Sequence, residues 1–191
     1  MNNYNRKNIK IFLLVYYGRK NMDTVSIQSH QHMLNDKWSL YYHLPQDKNW
    51  DVSSYSIIMD KIDNAEKVIS LNETIHDNVL KNCMLFVMRE GITPMWEDPR
   101  NRNGGCFSYK ISNRFVAEVW KQLFYMITGE TLCKDTSNSK HVNGITVSPK
   151  KNFCIVKIWL DVSTLQDPNI ISNISNLQQQ GCLFKKHEPE F

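Results

Sequence analysis

The chain has 191 residues, of which 41% are hydrophobic and 22% are charged, so it is long enough for one domain with a sizeable core and too short for two comfortable ones. Its net charge of +4 permits a polyanionic partner but lies far below the charge density of a protein that coats nucleic acid. The five cysteines form no CxxC pair and show no zinc-site histidine spacing, which indicates neither a zinc site nor a disulfide framework. We therefore expect reduced thiols in a cytoplasmic protein.

The N-terminal segment carries an apolar run, residues 11–17 (IFLLVYY), which follows Arg6, Lys7 and Lys10 and superficially copies a secretory signal peptide. The run is short, ends in GRKN, lacks a small-residue cleavage site and is far too short to span a bilayer. We predict that residues 1–29 form an extension, either one extra strand or a disordered segment. A domain at residues 30–191 follows, with no membrane association.

Short runs rich in aromatic and β-branched residues recur from residue 37 onward, as they do in half-buried strands. They alternate with helical patterns and are separated by polar turn residues. The runs predict strands at residues 38–44, 54–59, 83–90, 106–111, 144–148 and 153–160, with a last one at residues 182–186 (CLFKK).

Two of the three helical patterns lie between predicted strands, one after residue 59 and one after residue 160. The first begins near Asp63, whose side chain can cap the helix while Glu66 completes a capping box. The other begins at Asp167 with Pro168 in its first turn and stops at Gly181. The apolar positions of these two patterns are Ala65, Val68, Ile69, Leu71 and Ile75, and Ile170, Ile171, Ile174 and Leu177.

The remaining helical pattern is the clearest, with Ser112 or Asn113 as its cap and Gly129 at its end. Its apolar residues recur at helical spacing, and we expect Trp120 among them to lie in the core. Each of the three helices has one apolar face, so each can cover one side of a sheet. Helices confined to one face of an antiparallel sheet give an α+β architecture, and they leave the opposite face free for a site.

The polar segment GITPMWEDPRNRNGG, residues 91–105, contains Trp96 next to Glu97, and Trp50 is another tryptophan among polar residues. Each indole either anchors its loop on the sheet or offers a face to a ligand. A flat, cationic, purine-like ligand between two indoles gains stacking of about 1–3 kcal/mol per contact and a cation–π attraction. A neighbouring carboxylate then accepts its N–H donors. We expect Asp98 to be a turn or cap residue and the glycine pair 104–105 to be a hairpin turn.

Several segments together resemble eukaryotic translation initiation factor 4E, the family of mRNA cap-binding proteins, over about residues 30–186. The sequence PMWED is highly specific, and all five tryptophans fall on tryptophan positions of that family. The composition, rich in Asn, Lys and Ile, is typical of an AT-rich genome and fits a viral or protist member. The segments that carry the resemblance are HxLxxxW (32–38), the lone Trp50, GITPMWEDPRNRNGG, VWKQLFYMITGE (119–130) and KIWL (157–160).

The resemblance implies a curved antiparallel sheet with three helices packed on its convex face and a slot for the 7-methylguanosine cap on its concave face. Trp50 and Trp96 would sandwich the methylated base, and Glu97 would accept from the guanine N1 and N2 groups. The backbone N–H of Trp96 would reach O6, and Trp159 would contact the N7 methyl. The implied partners are capped mRNA and a scaffold resembling factor 4G, with the chain as a monomer and without a cofactor or metal.

The phosphate side departs from the family. Lys150 falls on a phosphate-binding arginine position, but a second strong base of the family falls on Ile155, and an arginine after the double glycine is Cys106. Strand alternation gives residues 155, 157 and 159 the same parity, so a cap-facing Trp159 places Lys157 on the same face. We predict that Lys150 and Lys157, with Lys151, hold the triphosphate; the alternative is a solvated lysine cluster.

The helical face departs further. Members of the family bind a partner helix there that carries a Tyr-x-x-x-x-Leu-hydrophobic motif. In this sequence the family's hallmark tryptophan position on that face is Ile69, and a leucine position is Lys121. Loss of an indole removes a hot spot that often contributes about 2 kcal/mol or more, so we expect a changed partner. The implied partner-binding surface consists of His32, Met33, Leu34, Ala65, Ile69, Trp120, Lys121 and Phe124.

These observations predict a non-enzymatic cap-binding protein of translation initiation. The alternative within the same class is a translational repressor or decoy that binds caps without recruiting the usual 4G scaffold. A nucleotide hydrolase is disfavoured because no carboxylate-rich metal motif or nucleophile–base pair is visible. A structural interaction protein that lost the cap is disfavoured by the intact Trp50, Trp96 and Glu97.

Overall fold

All seven segments predicted as strands form strands in the computed structural model, which describes residues 31–188. The predicted extension at residues 1–29 lies outside the described residues. The strands are β1 (Met33–His43), β2 (Ser56–Asn64), β3 (Met84–Arg89), β4 (Gly105–Ser112), β5 (Val142–Pro149), β6 (Phe153–Leu160) and β7 (Leu183–Lys186), and the helices are α1 (Ala65–Thr74), α2 (Asp77–Asn82) and α3 (Val116–Thr128).

The strands form one curved, open sheet in the order β2-β1-β3-β5-β6-β4-β7, and every neighbouring pair is antiparallel. Register shifts interrupt the pairing of β1 with β2 and of β5 with β6. Such bulges bend strands and increase their twist, which suits a curved sheet. The α+β class with a curved antiparallel sheet is confirmed.

The two faces of the sheet carry separate apolar clusters because strand side chains alternate between faces. Along β6, Cys154, Val156, Ile158 and Leu160 enter the main core, which also contains buried apolar side chains from all three helices. The opposite, concave face has a smaller cluster of Phe86, Met88, Ile92 and Trp159. The helices therefore cover one face, and the concave face is left to the loops.

Helix α1 is capped one residue later than predicted. The side chain of Asn64, not that of Asp63, accepts a hydrogen bond from the backbone N–H of Lys67 at 2.9 Å. Asp63 lies near the end of β2 and pairs instead with the Lys67 ammonium at 2.8 Å. Glu66 reaches His32 rather than closing a capping box, so the predicted box is wrong.

Helix α3 confirms the clearest helical pattern, and Trp120 is fully buried within it. Neither Ser112 nor Asn113 caps it, since its N-cap residue is Phe115 and no side-chain cap bond is made. The short helix α2 was not predicted, because six residues are too few to show helical periodicity.

The predicted helix at residues 167–181 is wrong. Asp167 caps only a single 3₁₀ turn, Pro168–Ile170, and the chain then runs irregularly. Its backbone bonds instead to the segment after α3: the N–H of Ser172 donates to the carbonyl of Leu132 at 2.8 Å. The left-handed backbone of Asn176, with φ of 64°, is also incompatible with a continuous helix. The apolar residues that mimicked helical spacing, Ile171, Ile174 and Leu177, are buried in the main core.

Within residues 31–188, no helix combines the length and apolar character that crossing a bilayer requires.

Candidate functional site

A slot of about 520 Å³ opens on the concave face, and no residue of the three helices lines it. Its volume falls within the range of about 300–1,000 Å³ that is typical of small-molecule sites. Its floor comes from β3, β5 and β6, and its walls come from the loops after β1 and β3. Six predicted site residues line it together: Trp50, Trp96, Glu97, Trp159, Lys150 and Lys157.

One wall of the slot is Trp50, a residue that is 49% exposed. His43 of β1 lies under this indole, with the ring centroids 4.2 Å apart and the planes within 6° of parallel. His43 is fully buried and does not line the slot, so it supports one face of the indole while the other face is left for a ligand. Tyr55 packs at an angle against both rings.

The His43 ring is also fixed by a hydrogen bond. Its Nε2 lies 2.8 Å from the carbonyl oxygen of Asn49, the residue before Trp50, and a carbonyl only accepts, so Nε2 carries the proton. Sequence reasoning missed His43. The available signal was its strand parity with Tyr41, which packs on the concave cluster.

The opposite wall is the loop that carries Trp96 and Glu97, and Asp98 organises it. The Asp98 carboxylate accepts from the backbone N–H groups of Thr93 at 2.8 Å and Arg100 at 2.9 Å, which confirms the predicted turn role. Asn101, fully buried, donates to the carbonyls of Thr93 and Met95. These bonds hold the loop in one shape around the half-buried indole.

The backbone N–H of Trp96 and the carboxylate of Glu97 make no hydrogen bond to any residue between 31 and 188. Glu97 is exposed, and its negative charge adds to the effect of burial on a neighbouring phenol, so that the pKa of Tyr55 rises to about 12. The wall therefore presents one donor and one anionic acceptor that have no partner in the described protein.

The floor of the slot is Trp159, which is only 7% exposed. Its indole Nε1 donates to the hydroxyl of Thr146 on the neighbouring strand at 2.7 Å, which fixes the ring orientation. Phe86 and Met88 pack beside it in the concave cluster. A ligand in the slot therefore meets an apolar ring surface from below.

The basic end of the slot confirms the parity prediction, because Ile155, Lys157 and Trp159 all line it. Lys150 also lines it from the turn before β6. Lys151 is exposed and does not line the slot, so its proposed place in the phosphate site is not supported by this geometry.

The glycine pair 104–105 does not form a hairpin turn, so that prediction is wrong. The segment enters β4, which pairs with β6 and β7 and not with the preceding strand β3. A Cβ atom on Gly104 would lie 1.8 Å from the carbonyl oxygen of Leu160. Glycine is required there because two backbones approach closely, not because the chain turns.

The comparisons with known proteins agree with this geometry. The family model described as "Eukaryotic initiation factor 4E" matches residues 33–188.

This chain belongs to the eukaryotic initiation factor 4E family.

Among curated 4E proteins, a homologue from Acanthamoeba polyphaga mimivirus is 42% identical over 94 residues, which cover 49% of this chain and 34% of the relative. The factor from Saccharomyces cerevisiae is 28% identical over 135 residues, or 68% of this chain and 62% of the relative. The matched region thus spans less than two thirds of the length of either relative.

Solved structures of the 4E family share the fold. Caenorhabditis elegans eIF4E-3, solved with the 4E-binding protein Mextli and a cap analog, aligns with a TM-score of 0.61 at 26% identity, covering 70% of this chain and 76% of that one. Ascaris suum eIF4E-3 with an m2,2,7G cap aligns with a TM-score of 0.60 at 26% identity, covering 71% and 76%.

The helical face of this 4E-family chain differs from the predicted partner surface in two residues. Trp120 and Phe124 are fully buried, so they support the face from below, and their assignment to the surface is corrected. Ile69 is 51% exposed on α1, and Met33 is 62% exposed at the start of β1. Leu34 packs partly into the core. The remaining predicted surface residues are His32, Ala65 and Lys121.

Charged groups flank the exposed Ile69. The ammonium of Lys121 on α3 lies 3.8 Å from the carboxylate of Glu73 on α1, and His32 Nδ1 lies 2.7 Å from the Glu66 carboxylate. The hydrogen bond to His32 holds the pKa of Glu66 below its ordinary range. An apolar partner helix would therefore meet a small aliphatic patch between two polar pairs rather than an indole.

Proposed function

We propose that this chain binds the 7-methylguanosine 5′ cap of mRNA in the concave slot and takes part in translation initiation as a monomeric cytoplasmic factor. The observation that carries the proposal is one slot lined by two supported indoles, Trp50 and Trp96, with an unpartnered carboxylate, Glu97, on one wall of the described domain. The family membership and the cap complexes of the eIF4E-3 relatives support the choice of ligand.

Each part of the slot has a role in this proposal. Trp50 and Trp96 stack on the two faces of the base, and its positive charge adds a cation–π attraction of about 0.5–2 kcal/mol. The Glu97 carboxylate accepts from the guanine N1 and N2 groups, and the Trp96 backbone N–H donates to O6. Trp159 contacts the methyl group from the floor.

The triphosphate leaves the slot over Lys150 and Lys157, the two cations that line it within the described part of the chain. Lys157→Ala is expected to weaken binding of a cap analogue, with a smaller effect at high salt because phosphate contacts are screened. Lys151→Ala is the matched control, since Lys151 is exposed and lies outside the slot. Equal affinities of the Lys157→Ala variant and the parent at low and moderate salt would contradict the role of Lys157.

The proposed function is tested by tryptophan fluorescence titration of the full chain with methylated and unmethylated guanosine triphosphate. We expect a clear preference for the methylated nucleotide, which Trp96→Ala abolishes. Glu97→Gln keeps the shape but removes the charge, and we expect an affinity loss of about tenfold or more, since hydrogen bonds to charged groups contribute about 1.5–3 kcal/mol. Equal binding of both nucleotides would contradict the cation–π account.

The polar pairs around Ile69 favour a second candidate, a cap-binding repressor or decoy that does not recruit the usual 4G scaffold. In both candidates the chain binds the cap without turning it over. A peptide with the Tyr-x-x-x-x-Leu-hydrophobic motif should bind weakly to the parent and more tightly to Ile69→Trp, because the indole restores a hot spot. Tight binding to the parent, together with stimulation of translation by added scaffold, would refute the repressor candidate.

A further inference from the structure

A buried hydroxyl lies on the floor of the slot, on Thr146 of β5. Thr146 lines the slot although the residue is only 2% exposed. In the sheet it pairs with Phe86 of β3 on one side and with Lys157 of β6 on the other. Directly paired residues of neighbouring strands point to the same face, so the Thr146 side chain lies between an apolar ring and a cation.

The Thr146 hydroxyl makes one hydrogen bond, and in that bond it is the acceptor. The indole Nε1 of Trp159 can only donate, and it donates to the Thr146 hydroxyl oxygen at 2.7 Å. A hydroxyl can also donate one hydrogen bond of its own, but Thr146 donates to no acceptor between residues 31 and 188. The proton of this hydroxyl is therefore left for a group in the slot.

The surroundings of Thr146 prepare its hydroxyl to donate. A buried donor without an acceptor is costly, and a ligand that supplies the acceptor removes that cost. The bond from the Trp159 indole polarises the hydroxyl, which makes it a stronger donor. The β-branched side chain of threonine is also stiff at χ1, so the hydroxyl keeps one position on the floor.

The charges around Thr146 favour an anionic acceptor. Lys157 is its direct partner on β6, and Lys150 lies four residues farther along the same face, or roughly 13 Å along the strand direction. The phosphates of a bound nucleotide are the acceptors that these two lysines attract. Thr146 bonds to the ring beneath the base, so the phosphate next to the ribose reaches Thr146, and the later phosphates reach Lys150.

We infer that Thr146 is a further cap-binding residue, which accepts the N–H of the Trp159 indole and donates its own proton to the first phosphate of the bound cap. The inference rests on the proposed cap-binding function. It adds a neutral donor to the two lysines of the slot, and it links the ring beneath the base to the phosphate chain.

The test compares 7-methylguanosine with its 5′ monophosphate in fluorescence titrations of the full chain. Thr146→Val removes the hydroxyl and keeps the shape of the side chain. We expect its affinity for the monophosphate to fall about tenfold or more, since hydrogen bonds to charged groups are strong, and its affinity for the nucleoside to fall less than about threefold.

Two further variants control this comparison. Thr146→Ser keeps a hydroxyl and should restore most of the phosphate-dependent affinity. Thr131→Val makes the same change at an exposed threonine outside the slot, and it should bind both ligands as the parent does.

A second background separates the donated bond from the fixed ring. Thr146→Val leaves the Trp159 N–H buried without an acceptor, which costs stability and loosens the ring. Trp159→Phe has no N–H to leave unpaired, and in that background Thr146→Val should still lower the ratio of monophosphate to nucleoside affinity. Loss of a neutral donor should leave the salt slope of nucleotide binding unchanged, whereas Lys157→Ala should reduce it by about one.

Equal losses of nucleoside and monophosphate affinity in Thr146→Val would overturn the inference, because Thr146 would then act only through the Trp159 ring. An unchanged affinity ratio in the Trp159→Phe background, or a Thr146→Ser variant as weak as Thr146→Val, would also overturn it. The proposed function fails separately. In that case the parent binds 7-methylguanosine monophosphate no more tightly than guanosine monophosphate, and the inference falls with it.

Discussion

Replacement of His43 by leucine should weaken cap binding although His43 does not touch the slot. The change removes a ring stacked on Trp50 at 4.2 Å and a hydrogen bond of 2.8 Å to the carbonyl of Asn49. An aromatic pair contributes about 0.5–1.5 kcal/mol beyond its buried area, and a hydrogen bond contributes about 0.5–1.5 kcal/mol. Trp50 is half exposed, so few other contacts hold its indole.

Part of this interaction free energy stabilises the whole domain, and the rest fixes the orientation of the Trp50 indole. We expect a loss of affinity for 7-methylguanosine triphosphate of about 5- to 30-fold, or about 1–2 kcal/mol, since a tenfold change corresponds to about 1.4 kcal/mol. His43→Phe should bind more tightly than His43→Leu, because it keeps a ring stacked on Trp50. It loses the Nε2–H donor to the Asn49 carbonyl, and this loss is partly offset because the Nδ1 atom, buried without a partner among the described residues, is also removed.

Fluorescence titration measures the affinities, and thermal unfolding shows that each variant is folded at the titration temperature. His32→Leu, a histidine exposed on the helical side, is the control. The double variant His43→Leu/Trp50→Ala should lose no more affinity than Trp50→Ala alone, because His43 acts through that indole. Unchanged affinity of His43→Leu, or an additional loss in the double variant, would refute the positioning role.

Three further predictions concern the described domain. Arg89→Met should lower the free energy of unfolding by about 2–4 kcal/mol, as measured by urea denaturation, because Arg89 donates to Asp36, Glu130 and two backbone carbonyls. This loss lies near the lower end of the range for a broken buried ion pair, since both carboxylates are partly exposed. Gly104→Ala should cost about 3 kcal/mol or more in the same assay, because its Cβ overlaps a backbone carbonyl; a stable variant would contradict that contact. Burial lowers the pKa of His187 below its ordinary value of 6.5, so the folded state favours the neutral imidazole. The stability that the neutral His187 contributes is therefore fully present above pH 6.5 and is lost as the pH falls through the lowered pKa. His187→Phe should therefore lose less stability than the parent between neutral and mildly acidic pH, and equal losses would contradict the prediction.

The strands were predictable because their signal is local. The run FCIVKIWL alternates between a core face and a slot face, and this alternation alone is enough to place Lys157 on the same face as Trp159. The adjacent Trp96 and Glu97 were likewise visible as a platform beside an acid. Their identification with one ligand needed the resemblance to a family, since residue chemistry alone fits several cationic heterocycles.

What the sequence did not predict depends on contacts between distant segments. The apolar spacing after Asp167 mimics a helix, but the chain there bonds to the segment after α3, which no local pattern reveals. The pairing of Cys106 with Lys185 joins β4 to β7, two strands that are far apart in the sequence. The support of Trp50 by His43 requires the chain to fold back after β1.

The two apolar clusters on opposite faces of the sheet allow the two surfaces to diverge independently. The concave cluster around Trp159 shares no buried member with the main core beneath Ile69 in the described domain. Substitutions across a sheet and without shared partners usually add within about 0.3–0.5 kcal/mol. A lineage can therefore change residues of the helical face, such as Ile69 and Lys121, while the residues that line the concave slot stay unchanged.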